Sequence, residues 1–400
     1  MAINAMTFDQ SATMLNELNA QMTGSKPLAI VDESQFVRVA TTLLQTGYDQ
    51  LGTAIGQVLS RSIHGARLYN SLWPSLVRDS QEWGGIVRKT TNIDLDYQDS
   101  PAYDPDSMET GDSVDPFIIN RRITIQTNFY GGQVEELVVT YTKAQLKTAF
   151  SGSAEVGTFM AQLATDLQSQ INQRIESRSR ETLLNLIAAD IIHNDDRVFH
   201  VLTEYKAATG NATITAANYL SEAEFPYFAK WLFGSLKTKK KLLRNRSGKF
   251  HTNITTYNGK AVTKDIMRHT GEEFLNVYML SDFMDQVESS VLSATFHNDL
   301  VGVGNYESVD FWQSIDNPDS IKITPNVMAA DGTCAAAANA VETSGVLGIL
   351  FDYEAAGVTV IAEDVDSIWN PRGKYENDFH NTIVRSYNDQ TENSIVLMLD

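Results

Sequence analysis

The alternation of apolar and polar residues between positions 85 and 130 predicts two extended strands. Ile93, Leu95 and Tyr97 alternate with polar residues, as in a half-exposed strand. Gln98 to Pro116 then holds six acids, three prolines and neither Lys nor Arg, a composition that interrupts strands and favours turns. A second strand is predicted because every second residue after this stretch lies on a common side and most of these residues are apolar. They are Phe117, Ile119, Arg121, Ile123, Ile125, Thr127 and Phe129. This pattern predicts a long antiparallel hairpin with an acidic tip, which must rest on its own subunit or on a neighbour.

Helical signals follow the hairpin. Leu137–Val139 predicts a short buried strand, and Thr142 with Gln145 forms a capping box that begins a short helix. From Ser153 to Ile192 the pattern is helical without a proline, which predicts a helix roughly 55–60 Å long. Its apolar stripe comprises Val156, Met160, Leu163, Leu167, Ile171 and Ile175.

The remaining chain predicts an N-terminal arm and a second, mixed domain. Helical spacing between Ser34 and Leu59 indicates one or two helices in the arm. Residues 193–345 mix polar loops with two helical segments, Glu222–Leu243 and Leu280–Leu300. The final 55 or so positions return to strand character at Val346–Phe351, Val358–Ile361 and Ile395–Leu399, with a short helix or turn over Asp352–Gly357. The fold class expected from this order is α+β.

Length and charge restrict the class of protein. A chain of 400 residues predicts two or three domains. Its net charge of −19 argues against a surface devoted to binding nucleic acid. No segment approaches 18 continuous apolar residues, and the first residues do not resemble a secretion signal, so we expect no membrane association.

The sequence predicts no catalytic, cofactor-binding or metal site. Cys334 stands alone among small residues without a neighbouring His, which favours a packed or loop residue over a nucleophile. His193, Asp195, Asp196 and His200 match no established ligand spacing, so a plain loop is favoured over a metal site. No nucleophile elbow, zinc-protease helix, Walker loop or kinase motif is present.

One basic run stands out against the acidic chain. Its seven members are Lys237, Lys239, Lys240, Lys241, Arg244, Arg246 and Lys249. Such a run can meet DNA phosphates or an acidic neighbour, or it can be a solvated helix face, and the sequence does not decide between these readings.

The order of elements resembles the Hong Kong 97-type capsid fold of tailed bacteriophages. Two stretches also resemble major capsid proteins: Val139–Phe150, and Gly348–Gly357 with the closing Tyr387–Leu397. The resemblance implies five parts: an N-terminal arm (1–70), an extended hairpin or E-loop (71–135), a peripheral domain with a spine helix (136–205), an axial domain (206–345), and a return to the peripheral domain (346–400).

The resemblance also implies function and partners. We expect a structural, non-enzymatic major capsid protein that forms the hexamers and pentamers of an icosahedral or prolate shell. The shell would enclose double-stranded DNA non-specifically and assemble in the host bacterial cytoplasm. A portal is implied. A separate scaffolding protein is also implied, because the arm is too short to hold a fused scaffolding domain. A fibre or a motif-poor cytosolic enzyme remains the alternative.

The acidic tip is expected to cross onto another copy, where its carboxylates need basic partners. The tip acids considered are Asp104, Asp106 and Glu109. The candidate cations are the basic run and four residues at the base of the hairpin, Arg88, Lys89, Arg121 and Arg122. Because the tip has no lysine, covalent crosslinking through it is not expected.

Overall fold

A computed structural model gives the conformation of most of the chain. The residues it describes are 12, 13, 15, 16, 35, 36, 38–40, 73, 75–78, 87–95, 97, 109–113, 115–129, 132–149, 153–290 and 305–400. The described positions between 12 and 40 are helical, as expected for the arm.

The labelled elements are numbered along the chain. The helices are α1 (Lys143–Ala149), α2 (Ser153–His193), α3 (Val201–Thr209), α4 (Phe225–Arg244) and α5 (Ser281–Ser290). The strands are β1 (Val77–Arg78), β2 (Val87–Asn92), β3 (Thr124–Phe129), β4 (Gln133–Thr142), β5 (Val198–His200), β6 (Thr256–Tyr257), β7 (Lys260–Ala261), β8 (Leu275–Leu280), β9 (Asn305–Val309), β10 (Ile321–Ile323), β11 (Asn326–Met328), β12 (Cys334–Ala336), β13 (Val341–Thr343), β14 (Val346–Asp352), β15 (Ala356–Asn370), β16 (Tyr375–Asn388) and β17 (Ser394–Met398).

The chain divides into two compact units. Unit 1 comprises residues 1–84, 131–179 and 358–386, and unit 2 comprises residues 85–130, 180–357 and 387–400. Strands β14 and β17, which the predicted five-part division assigns to the return to the peripheral domain, both lie in unit 2, and that division stays a prediction.

Unit 1 is built on a four-stranded sheet with the order β1-β15-β16-β4. Strand β4 forms one edge and pairs antiparallel with β16 over ten residues, from Gln133 opposite Val384 to Thr142 opposite Tyr375. Buried Ile175 of α2 packs with Val358 and Val384 of the sheet. Ile171, which precedes Ile175 in the predicted apolar stripe, packs against the same cluster, so this part of α2 covers one face of the sheet.

Unit 2 is built on a five-stranded sheet with the order β5-β17-β14-β8-β9. Every residue of β8, β14 and β17 is buried, which explains why these strands are almost continuous apolar runs. Helices α3, α4 and α5 contribute to the same apolar core as these strands. Edge-to-face aromatic pairs such as Tyr205–Phe228 and Phe225–Phe283 lie within it.

The structure confirms the helix predictions after the hairpin. The Thr142 amide donates to Gln145 Oε1 at 2.9 Å, and the Gln145 amide donates to Thr142 Oγ1 at 3.3 Å, so the capping box is present at the start of α1. Helix α2 is 41 residues long and begins at Ser153, as predicted. Helix α4 matches the segment predicted from Glu222, whereas residues 291–300 of the other predicted helix lie outside the described residues.

Three strand predictions need correction. Strand β4 is ten residues long and half-exposed, not a short buried strand, because only alternate side chains face inward. In the hairpin, β2 ends at Asn92 and β3 begins at Thr124. One more backbone hydrogen bond joins the Ile93 amide to the Ile123 carbonyl at 2.8 Å, and the predicted strand residues Leu95, Tyr97, Phe117 and Ile119 lie outside the paired strands. Strand β16 was not predicted, because its inward-facing positions include the buried polar residues Glu376, Asp378 and His380.

Candidate interaction surface

The hairpin of β2 and β3 has a root that is packed within its own unit. The two strands pair antiparallel from Val87 opposite Phe129 to Asn92 opposite Thr124, as predicted. Ile93 and Ile125 at the root are buried against three apolar residues of the same unit, namely Ile254, Val262 and Ile266. The hairpin therefore rests on its own subunit at this end, which the sequence left open.

Ion pairs add to this apolar contact. The Lys89 ammonium lies 2.7 Å from Asp389 Oδ2 and 3.1 Å from Glu354 Oε2, and it also pairs with Glu392. Burial acts to lower the pKa of Lys89, but the Asp389 and Glu392 carboxylates outweigh it and hold that pKa above its usual value. Burial raises the pKa of Glu392 to about 7 even though Lys89 and Arg268 oppose the shift.

Beyond the root, the hairpin exposes large apolar side chains. Phe117 is 85% exposed, Ile118 66% and Ile119 82%. We call the exposed set the apolar strip, and it consists of Leu95, Tyr97, Phe117, Ile118, Ile119 and Ile123. Their alternation with polar residues predicted strands and gave no sign of an exposed surface, although Phe117–Ile119 directly follows the acidic stretch. Contiguous exposed apolar side chains are typical of interaction surfaces.

The acidic tip is described only in part. Glu109, Asp112 and Asp115 are all exposed. The Glu109 amide donates to Asp112 Oδ2 at 2.8 Å, and the Asp112 amide donates to the Glu109 carbonyl at 3.0 Å, so this segment forms a local turn. Asp104 and Asp106 lie outside the described residues.

The four cations predicted at the hairpin base do not have equivalent positions. Arg88, Arg121 and Arg122 are exposed. Lys89 is only 18% exposed and is paired with three carboxylates of its own chain, so it differs from the other three. Three cations thus remain at the surface, while Lys89 is held in the root.

The basic run is largely paired with acids of its own unit. Lys239 lies 3.4 Å from Glu204 and Lys240 lies 3.4 Å from Glu272. The other two pairs are Arg246 with Asp94 at 2.8 Å and Lys249 with Asp196 at 3.2 Å. Lys241 and Arg244 are exposed and Lys237 is half-buried. Because four of the seven cations have acidic partners, the run is mainly a mixed-charge helix face and loop.

The residues considered for metal binding or nucleophilic chemistry occupy ordinary positions. Asp195 accepts hydrogen bonds from Arg197, and His200 Nδ1 lies 2.7 Å from Asp400 Oδ1. His193 precedes this loop at the end of α2. Among the residues that the structure describes, no cluster of His, Cys, Asp or Glu could hold a metal ion. Cys334 begins the short strand β12 and is exposed.

Unit 1 presents a second exposed surface along its edge strand. The outward positions Val134 and Val138 of β4 are 70% and 44% exposed, and they lie opposite Ile383 and Phe379 of β16. These two apolar cross-strand pairs form a stripe on the outer face of the sheet, where polar residues are the norm for an antiparallel sheet facing water. We call these four residues the sheet stripe.

On the inner side of β4, an open groove of about 660 Å³ lies between the sheet and α2. Glu135 in this groove accepts hydrogen bonds from Arg174 and Arg178. The Arg174 hydrogen bond is the main cause that holds the pKa of Glu135 below its usual value. This charged contact fastens β4 to the helix, so the groove is part of the internal packing of unit 1.

Comparison with known proteins identifies the family and the fold. The family described as Phi29-like phage major capsid protein matches residues 12–398. A chain in the capsid structure of Staphylococcus phage Andhra is similar, with a TM-score of 0.53, 11% identity, and 84% of each chain covered. A chain in the structure of the head fiber and inner core protein gp22 of native bacteriophage P68 is similar at the same TM-score and identity, covering 82% of this chain and 85% of that one. None of the curated proteins matches.

Proposed function

This chain belongs to the Phi29-like phage major capsid protein family and is a structural subunit of a phage head shell, and we propose that its hairpin is one of the surfaces through which copies join. The family is one of structural proteins, so the chain is not an enzyme. Its place is the virion capsid. The described part of the chain has no helix long and apolar enough to cross a membrane.

The observation that carries the proposal is the exposure of the apolar strip. Phe117 and Ile119 remain more than four-fifths exposed, although the root of the same hairpin is buried. Leaving such side chains in water is unfavourable, so a surface that is exposed in the free subunit gains free energy when it is covered. In a shell, each copy has a neighbour that can cover it.

The receiving surface we propose is the sheet stripe of a second copy. Val134 and Val138 are exposed apolar residues on an otherwise half-polar strand, and such a surface complements an apolar strip. Because β4 is an edge strand, backbone groups along it are also available to an approaching extended segment. Contact between two different surfaces of identical copies is heterologous and can close into rings such as pentamers and hexamers.

The acidic tip would add electrostatic selectivity to this contact. Its carboxylates would meet exposed cations of a neighbour, for which Arg88, Arg121 and Arg122 are available. Lys89 and the paired members of the basic run are less suitable, because their acidic partners lie in the same chain. Exposed ion pairs contribute at most about 1 kcal/mol each, so they would select the partner more than hold it.

A role as a shell subunit also implies partners other than copies of this chain. We propose a separate scaffolding protein, a portal and enclosed double-stranded DNA, with assembly in the host bacterial cytoplasm. The net charge of −19 and the internal pairing of the basic run both favour a DNA contact that is weak and non-specific. An icosahedral or prolate shell accommodates such a subunit equally well.

Cysteine labelling tests the hairpin contact. Cys334→Ser removes the natural thiol, and Ile118→Cys then places one reporter in the strip, where the native side chain is 66% exposed. A maleimide should label this reporter readily in the free subunit and slowly in purified shells. The same variant kept unassembled is the control for intrinsic reactivity. Equal labelling rates in shells and free subunits would contradict the proposal.

A further inference from the structure

The polar loop that joins β16 to β17 is unusual because it is buried throughout. We call residues Asp389–Asn393 the polar loop, and each of its five members is at most 5% exposed. Consecutive polar residues are rarely buried unless their hydrogen bonds are made inside the protein. The location of their partners therefore indicates what this loop supports.

Most partners of the polar loop belong to the body of unit 2. Gln390 Oε1 accepts from the Met328 amide at 2.9 Å, and Gln390 Nε2 donates to the Asn326 carbonyl at 2.7 Å. Asp389 Oδ1 accepts from both the amide and the hydroxyl of Thr391, at 3.0 and 2.6 Å. The loop is thus fixed from within and provides a rigid platform.

The polar loop also has a partner on the hairpin. Lys89 of β2 reaches Asp389 and Glu392 in the loop. Arg268 connects the same two parts, since its Nη2 donates to Thr91 Oγ1 of β2 at 2.9 Å and its Nε lies 3.0 Å from Glu392. Two buried carboxylates are therefore balanced by two cations, and one of those cations belongs to the hairpin.

We propose that Lys89 is the positioning residue of the hairpin, because it fastens β2 to the polar loop and sets the direction in which the apolar strip is presented to a neighbouring copy. The inference rests on the proposed role of the hairpin in assembly. Lys89 does not touch the neighbour. It acts through the strip, which lies further along the same hairpin.

Alternation along β2 gives a matched comparison. Arg88 is exposed, whereas Lys89 points to the other side of the strand and is largely buried. Both are cations in the same strand, so a change at Arg88 alters the charge of the hairpin by the same amount without touching the polar loop. Lys89→Met keeps the aliphatic stem of the side chain and removes the charge.

Hydrogen exchange of the free full-length subunit tests the inference. In Lys89→Met, amides of β2 and β3 should exchange roughly tenfold faster or more, because one partner of a buried ion pair has been removed. Arg88→Met should exchange like the wild type. If hairpin exchange in Lys89→Met equals that of the wild type, Lys89 does not hold the hairpin and the inference fails.

A double variant separates positioning from general stability. Lys89→Met leaves Asp389 without its cation, whereas Lys89→Met with Asp389→Asn removes that charge and leaves the pair of Arg268 and Glu392 intact. In the double variant, β14 should exchange like the wild type while the hairpin stays fast and shells form poorly. If β14 and the hairpin accelerate equally, the cluster serves only to stabilise unit 2. If shells form normally with a loosened hairpin, the proposal that Lys89 positions the hairpin is refuted. Maleimide labelling of the Ile118→Cys reporter still decides separately whether the hairpin is an interface.

Discussion

Replacing Phe117 and Ile119 together with serine should leave the free subunit stable and impair assembly. Both side chains are more than four-fifths exposed, so their removal takes almost no packing from the folded subunit. Exposed substitutions of this kind change the free energy of unfolding by no more than about 0.5 kcal/mol. The melting temperature of the double variant should therefore match that of the wild type.

The effect on assembly follows from the area that a neighbour would cover. Full burial of one Phe or Ile side chain contributes about 1.5–3 kcal/mol. For two such residues, less about 1 kcal/mol each for side-chain ordering, roughly 1–4 kcal/mol per contact remains. This corresponds to a loss of roughly 5-fold to 900-fold in the affinity of one contact. The subunit concentration at which shells appear should rise by at least a similar factor.

Light scattering and electron microscopy against subunit concentration would measure the shift. Ile315→Ser is a matched control, because Ile315 is 75% exposed and lies outside the hairpin. An unchanged assembly curve for the Phe117/Ile119 variant would refute the role of the strip. A fall of several degrees in its melting temperature would show that the strip packs within its own subunit instead.

Three further predictions address the tip, a helix cap and a buried acid. Replacing Asp104, Asp106 and Glu109 with Asn and Gln should leave the melting temperature unchanged and make the salt dependence of assembly yield shallower, and identical yield curves would remove the tip from the interface. Thr142→Ala should lower the free energy of unfolding in urea by about 1 kcal/mol through loss of the capping box, whereas Thr142→Ser should retain it. Burial raises the pKa of Asp378 to about 7. Between about pH 4 and 7 the folded state therefore keeps a proton that the unfolded chain has lost. The free energy of unfolding should thus fall as the pH rises through that window. Asp378→Asn should flatten this decline in melting temperature, and equal slopes for variant and wild type would contradict it.

Local signals in the sequence were sufficient for several elements. The capping box depends on two residues three positions apart, and the long helix on spacing within one segment. Continuous apolar runs predicted β14 and β17, because strands buried on both faces need apolar residues at every position. Each of these predictions uses only neighbours in the chain.

Other features depend on residues that are distant in the chain. Lys89 pairs with acids some 300 positions away, and nothing near it in the sequence distinguishes it from exposed Arg88. The alternation that predicted long hairpin strands continues into Phe117 and Ile119, which are exposed and lie outside the paired strands. In β16, the polar residue Asp378 occupies a buried position, so the inward face lacks the apolar pattern that would predict a strand. Sequence periodicity cannot separate a core position from an exposed contact position, since both are apolar.

The separation between a fastened root and an exposed strip has an energetic consequence for assembly. An isolated two-stranded ribbon is marginally stable, and ordering it would cost about 1–2 kcal/mol per residue in backbone entropy. In this subunit the six pairs from Val87–Phe129 to Asn92–Thr124 are already ordered by the apolar cluster at Ile93 and Ile125 and by Lys89. Most of the backbone entropy of the hairpin is therefore already lost when the subunit folds, before any neighbour binds. A contact of only a few side chains can then retain a net gain of roughly 1–4 kcal/mol by the estimate above. Such a contact is weak enough for a misplaced copy to dissociate and, repeated around a ring, strong enough to hold a shell.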